Sequence, residues 1–179
     1  ETRVIDPEFA FIGPIGFDVG AVIANLLISY FSQDGHELSA GARDDYRTWI
    51  VECVAGVWNG FRRKFLAHWQ QSPTGDAFPV TLFSGPQGEA ALAREREAYM
   101  DRLYADVIGF AAAKMIRRVV GLAHNIDLEW IKDPRQRAVC EARVLTLARQ
   151  LMVEADRFPD VGDVCERAQA VRRWSPPLG

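Results

Sequence analysis

The chain has 179 residues, a length typical of one domain or of part of a larger one. Apolar residues make up 49% and charged residues 25%, which excludes a disordered or fibrous protein. With 21 Lys and Arg against 24 Asp and Glu, the net charge of -3 offers no electrostatic footprint for nucleic acid or an anionic membrane. The longest apolar run, residues 19–31, is shorter than the roughly 20 residues of a bilayer span and predicts a buried helix.

The N-terminal part begins with a strand-like run, residues 3–5, which leads into the triplet Asp6-Pro7-Glu8. The glycines and proline of residues 13–16 are typical of a turn. Asp is a favoured N-cap residue, so we predict a helix that begins at Asp18 and runs to about residue 31.

Two long helices are predicted in the middle of the chain. The first spans about residues 42–70, and its apolar stripe recurs at steps of four: Trp49, Cys53, Val57, Phe61 and Phe65. The second spans about residues 89–122, with a charged first half and an apolar, Ala-rich second half. Between them, residues 78–84 fit either a short strand or an irregular crossing.

Two further helices are predicted near the C-terminus. Asp133 followed by Pro134 is a strong helix start, and a last short helix covers about residues 161–171. A single strand fragment followed by helices predicts a mainly α fold. We expect residues 1–179 to form one partial domain, a helical lobe of a larger α+β protein.

The carboxylates of Asp6 and Glu8 are the first candidates for chemistry. Side chains at i and i+2 of an extended chain point to the same side, and Pro7 holds Asp6 extended. Two such carboxylates can hold Mg²⁺, which takes one or two carboxylates and completes its shell with water and phosphate oxygens. The alternative is a turn with two solvated acids.

A basic cluster is predicted on the second long helix, because Lys114 precedes Arg117 and Arg118 by three and four residues. The surrounding residues are apolar, so these charges need partners. Arginine suits two-point recognition of phosphate or carboxylate. The alternative is a set of salt bridges to acids such as Asp106 or Glu141.

The histidines and cysteines give weaker signals. His124 lies just beyond the basic cluster, and a helix-terminal role is its simpler interpretation. The cysteines lie in apolar, helix-like stretches without zinc-site spacing: Cys53, Cys140 and Cys165. Buried thiols of this kind are typical of a reducing compartment, so we expect a cytoplasmic location.

Several segments carry a more specific pattern. Residues 4–11 read Val-Ile-Asp-Pro-Glu-Phe-Ala-Phe, and residues 13–20 read Gly-Pro-Ile-Gly-Phe-Asp-Val-Gly. Together with residues 25–27, 30–33 and 114–124, they resemble methylthioribose kinases, the first two in the part just after the catalytic loop. These enzymes belong to the superfamily of aminoglycoside and choline kinases, so the resemblance implies part of the C-terminal lobe of a protein-kinase-like fold.

The resemblance also implies roles for individual residues. Asp6 and Glu8 match the acidic metal-binding motif of these kinases, and Asp18 matches an acid that braces the catalytic loop. Arg117 and Arg118 match an arginine pair that contacts the sugar. The implied reaction transfers the γ-phosphate of ATP, with Mg²⁺, to the 1-hydroxyl of 5-methylthioribose in methionine salvage. Such kinases are often homodimers, so a homodimer is expected.

The catalytic aspartate of these kinases lies in a His-Gly-Asp loop that would precede Glu1, as would the nucleotide-binding lysine. We therefore expect no catalytic residue within the chain and no kinase activity from these 179 residues alone. Two alternatives stay open. A related small-molecule kinase would share the metal motif, and a non-catalytic helical interaction module would leave Asp6-Pro7-Glu8 unexplained.

Overall fold

The computed structural model describes residues 11–72 and 78–176. Its α-helices are α1 Gly16–His36, α2 Asp44–Gln71, α3 Gly88–Val120, α4 Ile126–Glu129, α5 Pro134–Val153 and α6 Val161–Arg173. Short 3-10 helices lie at Val80–Phe83 and Ala155–Arg157. The two described ranges contain no strand, which confirms the mainly α prediction there. The strand predicted at residues 3–5 lies outside the described residues.

The starts of the helices follow local sequence in α5 and α6 but not in α1. The Asp133 carboxylate accepts a hydrogen bond from the Arg135 backbone N–H at 2.8 Å, which confirms the predicted cap. The prediction that Asp18 is an N-cap is wrong, because α1 begins two residues earlier and its cap position is Ile15. Asp18 lies in the first turn instead, where the helix dipole favours a negative charge.

The buried face of α2 differs from the predicted stripe. Ile50, Val54 and Trp58 are buried, whereas Trp49 is 52% exposed. An α-helix turns every 3.6 residues, so a strict step of four drifts by about 40° each time. The face of α2 that packs against the core includes one step of three, from Trp58 to Phe61, which offsets this drift. Phe65 continues the same face.

Helix α1 lies at the centre of the core and packs against α2, α3 and α5. Its close approach to α3 depends on Gly20, where a Cβ atom would lie 2.6 Å from the Val107 carbonyl oxygen and 2.9 Å from the Phe110 Cβ. Gly16 packs against Asp106 and Val107. Since contacts advance along both helices together, α1 and α3 run in the same direction.

A charged cluster ties the end of α1 to three other helices. Asp34 accepts hydrogen bonds from Arg47 of α2, from Arg143 of α5 at 2.6 Å and from Arg172 of α6 at 3.0 Å. The Arg47 side chain is only 3% exposed. Its acid partners are Asp34, Glu37 and Asp44. Burial alone would lower the pKa of Arg47, but these acids raise it above its ordinary value and keep the cation charged.

Candidate functional site

The predicted site residues that the structure describes lie on α1 and α3, two helices that pack against each other. Asp18, Val22 and Asn25 follow each other at helical spacing and form the exposed face of α1. Lys114, Arg117 and Arg118 lie in the last two turns of α3, and residues 121–125 form the loop beyond it. We call these residues the α1–α3 surface.

The parallel course of the two helices sets the spacing on this surface. Gly20 packs against Val107, Phe110 and Ala111. Asn25 lies five residues further along α1, about 7.5 Å at 1.5 Å per residue, which brings it level with Lys114. The Asn125 amide donates a hydrogen bond to the Asn25 side-chain oxygen at 3.5 Å. The loop beyond α3 therefore folds back to the exposed face of α1.

The basic cluster has no acid partner within the described residues. Arg117 is exposed, Lys114 and Arg118 are half-buried, and the Arg118 guanidinium donates to the Ala123 carbonyl at 3.0 Å. The alternative of a bridge to Glu141 fails, because Glu141 accepts from Arg137 at 2.7 Å. A bridge to Asp106 is also not found among the described residues.

The environment of Lys114 is electropositive. Desolvation lowers the pKa of the Lys114 ammonium group, and the charges of Arg118 and Arg117 lower it further. Among residues 11–72 and 78–176, no carboxylate acts in the opposite direction on this group. The end of α3 therefore presents positive charge that is not neutralised by the described part of the fold, and such a surface attracts anions.

Asp18 lines a cleft at the start of α1. The cleft has a volume of about 390 Å³. Its lining residues are Phe11, Gly13, Pro14, Ile15, Phe17, Asp18, Val19 and Phe61. Phe17 holds one wall through edge-on contacts with Phe11 at 5.5 Å and with Phe110 at 5.6 Å between ring centroids. Phe11, the first described residue, belongs to this lining and directly follows residues 1–10 in the chain.

Asp6 and Glu8 themselves lie outside the described residues, so the structure leaves the metal site a prediction. Within residues 11–72 and 78–176, no three His, Cys, Asp or Glu side chains cluster closely enough to hold a metal ion. The helices of these ranges include none with the length and apolarity that a membrane crossing needs.

Some contacts of this region were not predictable from sequence. His36 is the last residue of α1, and its Nε2 lies 2.6 Å from the Asp127 carbonyl oxygen. The amides of Asn25 and Asn125 meet although they are far apart in the chain. His124 is exposed in the loop beyond α3. No local pattern marks long-range pairs of this kind.

The three cysteines are free thiols, as expected. Cys140 and Cys165 are buried, and Cys53 is half-buried. Burial raises the pKa of both the Cys140 and the Cys165 thiols to about 11, so both are neutral at physiological pH. Their role is packing in the core, not nucleophilic chemistry.

Comparison with known proteins finds relatives among the kinases. No protein-family model matches the chain. The relatives described below are methylthioribose kinases, and the chain is homologous to a region of each of them. Methylthioribose kinase 1 of Oryza sativa subsp. japonica is 40% identical over 174 residues, which cover 96% of this chain and 40% of the rice protein.

Bacterial relatives agree with the rice protein. The methylthioribose kinase of Escherichia coli O45:K1 is 37% identical over 169 residues, 94% of this chain and 40% of that protein. That of Yersinia pseudotuberculosis serotype O:1b is 36% identical over 167 residues, 92% of this chain and 37% of that protein. The chain thus spans about two fifths of the length of these curated relatives.

Proposed function

We propose that this chain supplies the metal-binding and substrate-facing part of an ATP-dependent kinase that phosphorylates the 1-hydroxyl of 5-methylthioribose in methionine salvage. The observation that carries the proposal is the 40% identity to a methylthioribose kinase over 96% of the chain. The cation cluster at the end of α3 supports it, because phosphoryl transfer depends on positioning and on stabilising negative charge.

Asp6 and Glu8 would hold the magnesium ion of MgATP. The donor set suits this ion, since Mg²⁺ prefers oxygen ligands and needs only one or two carboxylates when phosphate oxygens and water complete its shell. When bound, the ion neutralises charge on the nucleotide phosphates. Asp18 would brace the adjoining segment from the cleft at the start of α1.

Arg117 and Arg118 would face the sugar from the other end of the α1–α3 surface. Helix geometry places Lys114 about 10 Å and Arg118 about 15 Å beyond Asp18 along the helix axes, which leaves room for a small sugar between Asp18 and these cations. The base that accepts the proton of the attacking hydroxyl would be the aspartate of a His-Gly-Asp loop, a motif that residues 1–179 do not contain.

A related kinase acting on choline, an aminoglycoside or another small alcohol is the second candidate. It would use the same acidic pair, and the arginine pair is the feature that favours methylthioribose. For the whole enzyme we expect a cytoplasmic homodimer, on the basis of the resemblance to this class of kinases.

A chimeric enzyme tests the proposal. This chain would replace the matching 174 residues of rice methylthioribose kinase 1, and the purified protein would be assayed with ATP and a substrate panel. We expect phosphorylation of methylthioribose and not of choline or an aminoglycoside. A folded chimera that phosphorylates choline instead would favour the second candidate, and one that phosphorylates nothing would favour an interaction module.

A further inference from the structure

We propose that a cleft at the far end of α1 binds the carboxylate group of a small organic acid through the Tyr30 hydroxyl and the Arg173 guanidinium. The cleft lies between α1, α2 and α6, and we call it the α2–α6 cleft. Its volume is about 320 Å³, at the lower end of the range of small-molecule sites. Its lining residues are Tyr30, Asp44, Arg47, Thr48, Val51, Gln169, Arg172 and Arg173.

The α2–α6 cleft is separate from the α1–α3 surface. Tyr30 lies twelve residues beyond Asp18 on α1, which is about 18 Å at 1.5 Å per residue. The lining of the cleft includes none of the residues proposed to hold the metal ion or to face the sugar. Ligand binding in this cleft therefore goes beyond the proposed function and does not depend on it.

The Tyr30 hydroxyl has no hydrogen-bond partner among the described residues. Tyr30 is only 4% exposed. Its oxygen is nevertheless not one of the fully enclosed polar atoms that lack a partner within residues 11–72 and 78–176. The hydroxyl is therefore open to the cleft that Tyr30 lines.

The same hydroxyl is a proton donor at neutral pH. Burial raises the pKa of Tyr30, although the charges of Arg172, Arg47 and Arg173 act in the opposite direction. The hydroxyl thus keeps its proton and lies close enough to these arginines to sense their charge. A carboxylate is a stronger acceptor for such a donor than a neutral group is.

Arg173 supplies one positive charge that no described acid balances. The charged cluster around Asp34 contains three acids and three arginines in ion pairs: Asp34, Glu37, Asp44, Arg47, Arg143 and Arg172. Arg173 is the last residue of α6 and is exposed, and none of the ion pairs among the described residues includes it. The wall of the α2–α6 cleft therefore carries one excess positive charge beside the free hydroxyl.

This single excess charge favours a carboxylate over a phosphate monoester. A monoester carries close to two negative charges at neutral pH and would leave one of them unbalanced, whereas a carboxylate carries one. The planar guanidinium of Arg173 suits two-point binding of a carboxylate. Val51 and the Tyr30 ring add apolar surface to the lining, so an acid with a short aliphatic chain fits better than a bare ion.

The test measures binding of butyrate to the 179-residue chain by backbone amide NMR at constant ionic strength, with inorganic phosphate as the comparison anion. Tyr30→Phe removes only the hydroxyl, and Arg173→Gln removes the unbalanced charge. We expect each change to raise the Kd for butyrate about tenfold, as for one lost charge-assisted hydrogen bond. Arg63→Gln, on an exposed arginine of α2, is the matched control and should stay within about threefold.

Thermal unfolding without ligand separates a ligand site from a structural role of the hydroxyl. Tyr30→Phe should leave Tm within about 2 °C of the unchanged chain, because the hydroxyl has no partner in the described fold to lose. A clear fall in Tm would show that the hydroxyl holds the fold together, and the proposed site would then be wrong.

The binding data can overturn the proposal in three further ways. Butyrate that causes no saturable shifts up to about 50 mM would exclude the site. Equal binding by the unchanged chain, Tyr30→Phe and Arg173→Gln, or equal weakening by Arg63→Gln, would show that these groups do not form it. Phosphate that binds more tightly than butyrate would refute the assignment to a carboxylate. None of these results bears on turnover by the chimera, so the kinase proposal stands or falls separately.

Discussion

The replacement of Asp34 by asparagine should destabilise the whole helical domain. The change removes one negative charge while keeping the shape of the side chain. Asp34 is 20% exposed, and its partners Arg47 and Arg143 are 3% and 11% exposed, so the charges that lose their acid are largely desolvated. Because Asp34 joins α1 to α2, α5 and α6, the effect should extend to the docking of four helices.

The size of the loss in unfolding free energy depends on the ion pairs that Arg47 keeps after the substitution. Breaking a buried ion pair by removal of one partner costs about 3–5 kcal/mol. Arg47 keeps Glu37 at 2.6 Å and Asp44 at 2.7 Å, so we place the loss of unfolding free energy at the lower end. A loss of about 3 kcal/mol is expected, which for a domain of this size lowers Tm by about 6–12 °C.

Urea and thermal unfolding followed by circular dichroism would measure this loss. Asp45→Asn is the matched control, since Asp45 is an exposed acid in the same region of α2. Its effect should stay within about 0.5 kcal/mol. If Asp34→Asn were no more destabilising than Asp45→Asn, the charged cluster would not hold the four helices together.

Three further predictions concern the helix contact, the thiols and the metal motif. Gly20→Ala should cost about 1–3 kcal/mol of unfolding free energy, because the new Cβ would lie 2.6 Å from the Val107 carbonyl oxygen. Thiol titration of the native chain should label Cys53 before Cys140 and Cys165, whose raised pKa of about 11 and burial protect them. The same raised pKa values should make the unfolding free energy fall as pH rises from about 9 to 11, since the unfolded chain loses its thiol protons first. In the chimeric enzyme, Asp6→Asn should abolish turnover without unfolding the protein, as circular dichroism would show.

The glycine and thiol predictions have internal controls. Gly56→Ala in α2 meets nothing within 4 Å and should stabilise the fold by about 0.5–1 kcal/mol through helix propensity. Equal effects at Gly20 and Gly56 would contradict the close approach of α1 and α3. Labelling of all three thiols at one rate would contradict the burial of Cys140 and Cys165. So would an unfolding free energy that increases with pH between about pH 9 and 11.

Local sequence predicted the helices well where it carries start signals and strong periodicity. The long helix α3 was expected over residues 89–122 and spans Gly88–Val120. The Asp133 and Pro134 pair marked the start of α5 correctly. The cap of α1 was wrong, because an acid in the first turn looks like a cap in sequence. The stripe of α2 was right only from Val57 onward, because tertiary packing decides which face is buried.

The candidate site was predictable only in part. The spacing of Lys114, Arg117 and Arg118 placed them on one helix, and the structure adds that no described acid pairs with them. Arg118 differs from Arg117 in donating a hydrogen bond to the carbonyl of Ala123, five residues further along in the loop beyond α3. Sequence periodicity carries no information about such a turn, nor about the meeting of distant side chains.

The most direct test of the proposed kinase function is turnover by the chimera that carries this chain in place of the matching 174 residues of rice methylthioribose kinase 1. Formation of methylthioribose 1-phosphate from ATP and methylthioribose would be followed by ³¹P NMR. The proposal predicts product with the unchanged chain and none with Asp6→Asn. A folded chimera that forms no product, or an Asp6→Asn variant with full turnover, would contradict it.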